Sequence, residues 1–198
     1  MANKKKAKVY VGLMHYPMVT RRGDEVATSV TNLDIHDISR TSRTYGVDQF
    51  FIVHPSEKQR ALVEKIADYW NNGFGGSYNA DRSEALTRLS ICADLEEVQQ
   101  KIAAETGKRA LVVATDAKIY PNTVPYAAMR RRIMQEDDLS ILLLFGTGWG
   151  MTEALRESCD AILPPIALYS DYNHLSVRSA VAIIVDRLLG EDWFSGND

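Results

Sequence analysis

Cysteine is scarce in this chain: Cys92 and Cys159 lie far apart and neither sits in a CxxC pair, so they supply no disulfide framework and no zinc site. A reducing compartment suits such usage. The four histidines are scattered without HxxH or HExxH spacing, which argues against a metal centre. Long apolar runs are missing too. The longest, Ile141 to Phe145 and Ala180 to Val185, fall far short of the ~20 residues of a membrane span. The basic opening MANKKKAKVYVGL lacks the apolar stretch and cleavage site of a secretory signal. Lys8 to Leu13 reads better as a buried strand than as an amphipathic presequence helix, so the expectation is a cytoplasmic protein. Net charge is only -3, with no global pull toward nucleic acid. No glycine loop is followed by GK[ST] and no full GxGxxG occurs, which excludes a P-loop and the usual dinucleotide fingerprint. Repeats, low-complexity linkers and domain boundaries are likewise absent.

What remains is an ordinary globular composition, 45% hydrophobic and 25% charged over 198 residues. A chain of this size buries roughly 70% of its unfolded surface in one core. Apolar runs bounded by turn residues alternate with helix-period segments, which predicts an α/β domain over residues 1–198 with a mostly parallel sheet flanked by helices. The predicted strands are Lys8–Leu13, Gln49–Val53, Ser90–Ala93, Ala110–Ala114, Ser140–Phe145 and Ala161–Leu163. Asp34 to Tyr45 reads as a helix capped by Asn32 and stopped at Gly46. Ser56 with Gln59, and Asp94 with Glu97, form capping boxes for helices ending near Trp70 and Gly107. Pro125 opens a helix through Met134, and Ser176 to Leu189 is a last helix closed by Gly190. The glycine-bearing stretch Asn71–Asn79 reads as a flexible loop.

Chemistry concentrates late in the chain. A buried strand runs into Phe145-Gly146-Thr147-Gly148-Trp149-Gly150, and Thr152 then caps a helix. Alternating glycines let a ligand approach main-chain N–H and C=O groups, although they serve a sharp strand-to-helix turn equally well. Downstream, Pro164-Pro165 fix an extended loop without donors, and Asn173-His174-Leu175-Ser176 leads into the last helix. Three loops converging after neighbouring strand ends point to a ligand site more strongly than any one of them alone.

These residues carry a resemblance. Phe145-Gly146, Gly150-Met151, Cys159-Asp160 with Ile162 and Pro164, and Leu175-Ser176-Val177 are similar to the second and third motifs of SPOUT (SpoU/TrmD) RNA methyltransferases. The run from Asn32 through Arg40 and Gly46-Val47 to Pro55 resembles the first. The likeness extends to small stand-alone SPOUT proteins that some bacteria fuse to TrmD. It implies a C-terminal trefoil knot over about residues 110–190, S-adenosyl-L-methionine as cofactor, a homodimer, and RNA, foremost tRNA, as substrate. The implied cofactor wall comprises Ala114, Thr115, Phe145, Gly146, Thr147, Gly148, Trp149, Gly150, Ile162, Leu163, Pro164, Pro165, His174, Leu175, Ser176 and Ser179. The chain departs from the family pattern in lacking the second-motif glutamate, in carrying His174 where asparagine is usual, and in a longer Asn32-to-Arg40 spacing.

Arg40, His174 and Ser176 are the implied catalytic residues. Guanidinium scarcely deprotonates, so Arg40 suits phosphate grip or alkoxide stabilisation better than base catalysis. The alternative for Arg40 is a helix-surface pair with Asp37; His36 shares its face. Ser176 alternatively caps the last helix, and Trp149 covers the cofactor, stacks on a base, or fills the core. Arg21, Arg22, Arg40, Arg43, Arg130, Arg131 and Arg132, with Lys4 to Lys8, are the candidate RNA contacts. The expected reaction is methyl transfer to a ribose 2′-hydroxyl. A class I Rossmann methyltransferase and a catalytically weak cofactor-binding RNA module stand as alternatives.

Overall fold

The computed structural model of the chain describes residues 5–167, 169 and 172–191, so Lys4 of the basic N-terminal run lies outside the described residues. Strand β1 (Lys8–Met14) is followed by a small hairpin of β2 (Met18–Val19) and β3 (Glu25–Val26), then α1 (Asn32–Thr44) and β4 (Gln49–Val53). Next come α2 (Glu57–Asn71), α3 (Phe74–Tyr78), α4 (Ala80–Leu86), β5 (Leu89–Cys92) and α5 (Leu95–Thr106). The late segment contains β6 (Leu111–Thr115), α6 (Tyr126–Gln135), β7 (Ser140–Gly146), α7 (Glu153–Glu157), β8 (Ala161–Leu163) and α8 (Val177–Leu189). Six strands form one sheet in the order β5-β4-β1-β7-β6-β8, and every pairing in it is parallel.

Both faces of the sheet are buried, which is why its central strands read as unbroken apolar runs. Along β1 and β7, Val9, Val11, Leu13, Ile141, Leu143 and Phe145 enter one core, lined by α1, α6 and α8. Tyr10, Met14, Leu142 and Leu144 enter the other, against Val98 and Ile102 of α5. Cys92 and Cys159 are free and buried, and burial pushes both thiols up to about 11. Among the described residues no helix is long and apolar enough to cross a membrane, and no group of three His, Cys, Asp or Glu side chains could hold a metal ion.

Local signals are corrected at three points. The cap of α1 is Thr31, whose Oγ1 accepts from Asp34 N at 3.2 Å, rather than Asn32. Ser56 makes no side-chain cap bond, and neither half of the box forms: Gln59 accepts from Val30 N at 2.9 Å and Ser56 N donates to His54 Nδ1. Asn71–Asn79 is not a loop but holds α3: a Cβ on Gly75 would lie 2.7 Å from Trp70 Cε3, so the glycines allow a short helix to close onto α2. By contrast, Asp94 and Glu97 cap α5 as expected, with Glu97 N to Asp94 Oδ1 at 2.8 Å and Ala93 N to Glu97 Oε2 at 2.7 Å.

The chain builds outward from β1 through β4 to β5, then crosses to β6, returns to β7 beside β1, and ends on the β8 edge. The direction of construction reverses between β1 and β7, and in parallel α/β sheets ligands bind beyond the carboxyl ends of strands at such a reversal. Met14 pairs with Gly146 there, while Thr115 pairs with Leu163 two strands away.

Candidate functional site

The glycine loop leaves β7 at this reversal. Gly148 and Gly150 have φ of +59° and +101°, a region in which an L side chain is strained. Gly150 N donates to Thr147 O at 3.0 Å, closing a turn, while no acceptor among the described residues takes the N–H of Gly148 or Trp149. The β2–β3 hairpin clamps the loop from outside: Val19 N donates to Gly150 O at 2.9 Å and Thr152 N to Pro17 O at 3.2 Å. Sequence periodicity had not revealed this hairpin, whose strands are only two residues each.

The other expected loops converge on it. After β6, Thr115 Oγ1 donates to Leu144 O at 2.9 Å, and Asp116 pairs with Arg156 at 3.5 Å. Arg156 in turn donates to Met151 O at 2.5 Å, tying β6's exit to the glycine loop. Asn173 Nδ2 donates to Ala117 O at 3.1 Å, and the His174 ring stands edge-on to Trp149 with centroids 6.2 Å apart. Trp149 is 59% exposed, so it is not a core filler; the Arg21 guanidinium lies 5.9 Å from its ring centre. Ser176 caps α8, accepting from Ser179 N at 3.3 Å with its hydroxyl 3.0 Å from that of Ser179. Leu175 is exposed beside it.

Several expected wall residues can offer only main chain to a ligand. The side chains of Ala114, Phe145, Ile162 and Leu163 are buried in the two cores. Thr147 is committed internally, its hydroxyl donating to Met14 O at 3.0 Å and its N–H to Met18 Sδ at 3.3 Å. Pro164 O accepts from Tyr126 at 3.0 Å, and a cavity of about 540 Å³ opens between Pro164–Ala167, Tyr126 and Arg187. It takes only Pro164 and Pro165 from the expected wall, so it adjoins the glycine loop's site without including it.

Arg40 is exposed on α1 and makes no hydrogen bond or ion pair among the described residues. Its expected partner Asp37 is held instead by Arg178 of α8 at 3.1 Å, which also reaches Asp34 at 3.3 Å. Arg40, Thr44, Arg178 and Ser179 border a groove of about 480 Å³ between α1 and α8. His36 packs edge-on against Trp70 at 5.3 Å and does not share the exposed position of Arg40. Of the other basic candidates, Arg21, Arg22 and Arg131 are exposed. Arg43 pairs with Glu84, Arg132 with Glu136 at 2.9 Å, and Arg130 donates to Gly190 O at 2.6 Å at the end of α8. Lys5 and Lys8 share Asp48, and Lys6 pairs with Asp137 at 3.1 Å.

Two histidines that spacing did not single out lie beneath the site. His15 and His54, at the ends of β1 and β4, are 0% and 3% exposed and stack with centroids 5.6 Å apart. Burial, reinforced by His54, pushes His15 down to about 4, and burial also lowers His54.

A family described as SAM-dependent RNA methyltransferase matches residues 8–190. A tRNA (guanine-N(1)-)-methyltransferase of Nitratidesulfovibrio vulgaris is 44% identical over 96% of this chain and 44% of its own length. An uncharacterized protein of Aquifex aeolicus is 41% identical over 93% of this chain and 89% of its own. The chain thus spans less than half of the first relative and most of the second. Among solved structures, the SpoU methyltransferase AviRb of Streptomyces viridochromogenes with AdoMet aligns over 94% of this chain and 58% of that one, at TM-score 0.55 and 13% identity. The A. aeolicus TrmH/SpoU tRNA modifying enzyme aligns over 94% and 75%, at TM-score 0.53 and 15% identity. Likeness to these sheets, with a glycine loop after β7 instead of the first strand, removes the class I Rossmann alternative. With a match running from residue 8 to residue 190, this chain belongs to the SAM-dependent RNA methyltransferase family, carried on a SpoU/TrmH-type SPOUT fold.

Proposed function

We propose that this chain moves a methyl group from S-adenosylmethionine to a ribose 2′-hydroxyl of tRNA, acting as a cytoplasmic homodimer whose single domain is knotted over about residues 110–190. The observation that carries the reading is the glycine loop, with two N–H groups that have no partner among the described residues and open space where a Cβ on Gly150 would stand. That is a cradle for an adenosine pressed against main chain. Gly146, Gly148, Trp149 and Gly150 would hold it, with the main chain of Ala114, Phe145, Ile162 and Leu163, the Thr115 and Pro164–Pro165 turns, and Leu175. The return of the chain from β8 to pack α8 on α1 and α6 supports a knotted path.

When bound, S-adenosylmethionine supplies a methyl group made electrophilic by its positive sulfur. The chain's own work is to align an oxygen nucleophile and accommodate its charge and proton. Arg40 remains cationic and suits the negative charge that a ribose hydroxyl oxygen carries as it gives up its proton before the C–O bond forms. His174, exposed beside Trp149, accepts the proton; Ser176 and Ser179 fix its loop by capping α8. Trp149 and Arg21 offer a stacking surface for an unstacked base. Arg22 and Arg131 contact phosphate, Arg43 and Arg132 add charge, since exposed ion pairs hold them only weakly, and Arg130 adds charge from the end of α8, where it donates to Gly190 O. The guanine-N(1) activity in the relative's name belongs to a chain more than twice as long and does not direct this assignment.

Within one chain the groove of Arg40 and the glycine loop share no lining residue. A dimer that brings α1 of one copy to the loop of the other completes the site. Incubation with unmodified tRNA and labelled S-adenosylmethionine, followed by nucleoside analysis, is expected to yield a 2′-O-methylnucleoside. A labelled base would move the acceptor, donor binding without transfer would favour the inactive module, and no donor binding at high micromolar concentration would end the reading.

A further inference from the structure

The two buried histidines are joined to the glycine loop by a hydrogen-bonded chain whose direction can be worked out. His54 Nδ1 accepts from Ser56 N at 2.9 Å, so its proton is on Nε2, which donates to the Thr28 carbonyl at 3.0 Å. Thr28 N donates to His15 O at 2.9 Å. Three side-chain contacts then run in series: His15 Nδ1 to Thr28 Oγ1 at 3.0 Å, Thr28 Oγ1 to Thr147 Oγ1 at 2.5 Å, and Thr147 Oγ1 to Met14 O at 3.0 Å. Met14 O has no proton to give, so Thr147 donates to it; Thr28 donates to Thr147 at 2.5 Å rather than to the His15 carbonyl at 3.5 Å, and His15 Nδ1–H donates to Thr28. Any other assignment leaves one of the three contacts without a proton. His15 Nε2 is thereby a bare acceptor, buried and without a partner among the described residues.

Thr28 is the hub. It takes both histidines on one side, and on the other its methyl group would lie 3.1 Å from a Cβ at Gly148. It also sits in the segment between the β2–β3 hairpin and α1, the helix that bears Arg40. We propose that Thr28, fixed by His15 and His54, is a positioning residue that sets the glycine loop in register with the connection to Arg40's helix, so one hydrogen-bonded chain aligns donor and acceptor sides. The link to methyl transfer rests on the glycine loop being the donor site; the restraint on the loop does not.

The test compares Thr28→Val, which keeps the shape and removes the hydroxyl, with Thr28→Ser, which restores it, and with Thr147→Val and the double variant. Calorimetry reads S-adenosylmethionine affinity, steady-state kinetics separates KM for the donor from kcat, and amide exchange reads residues 146–150 in the free protein. Thr28→Val should weaken donor binding about tenfold, the scale of one lost hydrogen bond to a buried group. It should raise donor KM more than it lowers kcat and speed exchange at Thr147 and Gly150, the loop amides held by Met18 Sδ and Thr147 O. Thr28→Ser should recover to within about twofold, and the double variant should be no worse than either single one. Unchanged exchange in Thr28→Val, or a loss that serine does not rescue, overturns the proposal. Faster exchange in a protein whose wild type binds no donor would uphold the relay while removing the donor-site reading.

Discussion

Replacing Gly148 with valine separates a folding defect from a binding defect. At φ of +59° the glycine stands in the left-handed region, where an L residue costs roughly 1–2 kcal/mol and a β-branched one the upper end. The new Cβ would sit 3.1 Å from Thr28 Cγ2, tight enough to require a shift of a few tenths of an ångström. A total near 2 kcal/mol is small against the ~5–15 kcal/mol that stabilises a domain and lowers Tm by about 4–8 °C at this chain length. Gly148→Val should therefore remain folded at 25 °C. Its Cβ and γ-methyls, however, crowd Thr28 and force the turn that presents the free N–H groups to shift, so S-adenosylmethionine binding should fall below detection. Thermal melting and calorimetry on the same preparation check both halves. A folded Gly148→Val protein with wild-type donor affinity would refute the cradle; a protein unfolded at 25 °C would show that the loop's strain was undercounted.

Arg40→Ala should leave donor affinity within about twofold while lowering transfer by two orders of magnitude or more, as expected for an electrostatic group acting on the reacting oxygen; equal loss of both would refute the assigned role. Trp149→Ala should raise KM for RNA by roughly 5- to 100-fold, the range of one lost base–aromatic stack, with donor binding intact; unchanged RNA affinity would reduce Trp149 to a loop ornament. Because burial holds folded His15 at about 4 against 6.5 for an ordinary histidine, the unfolded chain binds protons first as pH falls. The stability this gives is present above pH 6.5 and is lost between 6.5 and 4, amounting to about 2 kcal/mol between pH 7 and 5. Urea midpoints of wild type and His15→Asn at those two pH values test the sign, since an equally steep loss in the variant would contradict it.

Much of the candidate site's local geometry was legible because neighbouring residues set it. A buried strand followed by alternating glycines, and a Ser-capped last helix, are statements about neighbouring residues, and each held at its place: Gly148 and Gly150 have positive φ, and Ser176 caps α8. The basic face was less legible, because Arg43, Arg130 and Arg132 find partners 41, 60 and 4 residues away, two of them beyond the reach of any local pattern. Trp149 could be placed neither in the core nor on the surface until the hairpin that carries Arg21 was seen against it. Arg40's freedom likewise depends on Arg178, 141 residues from Asp37, taking the acid that spacing had offered to it.

By itself the amino-acid order determined the α/β class, the parallel sheet, the glycine turn and the family motifs, since periodicity and backbone constraint act over a few residues. Only the tertiary structure decided that β7 returns beside β1, that a two-stranded hairpin clasps the glycine turn, and that His15, His54, Thr28 and Thr147 share one chain of protons. Those relations join residues far apart in sequence, and the cost of leaving buried polar groups unpaired, which selects them, arises only once the chain has closed around them.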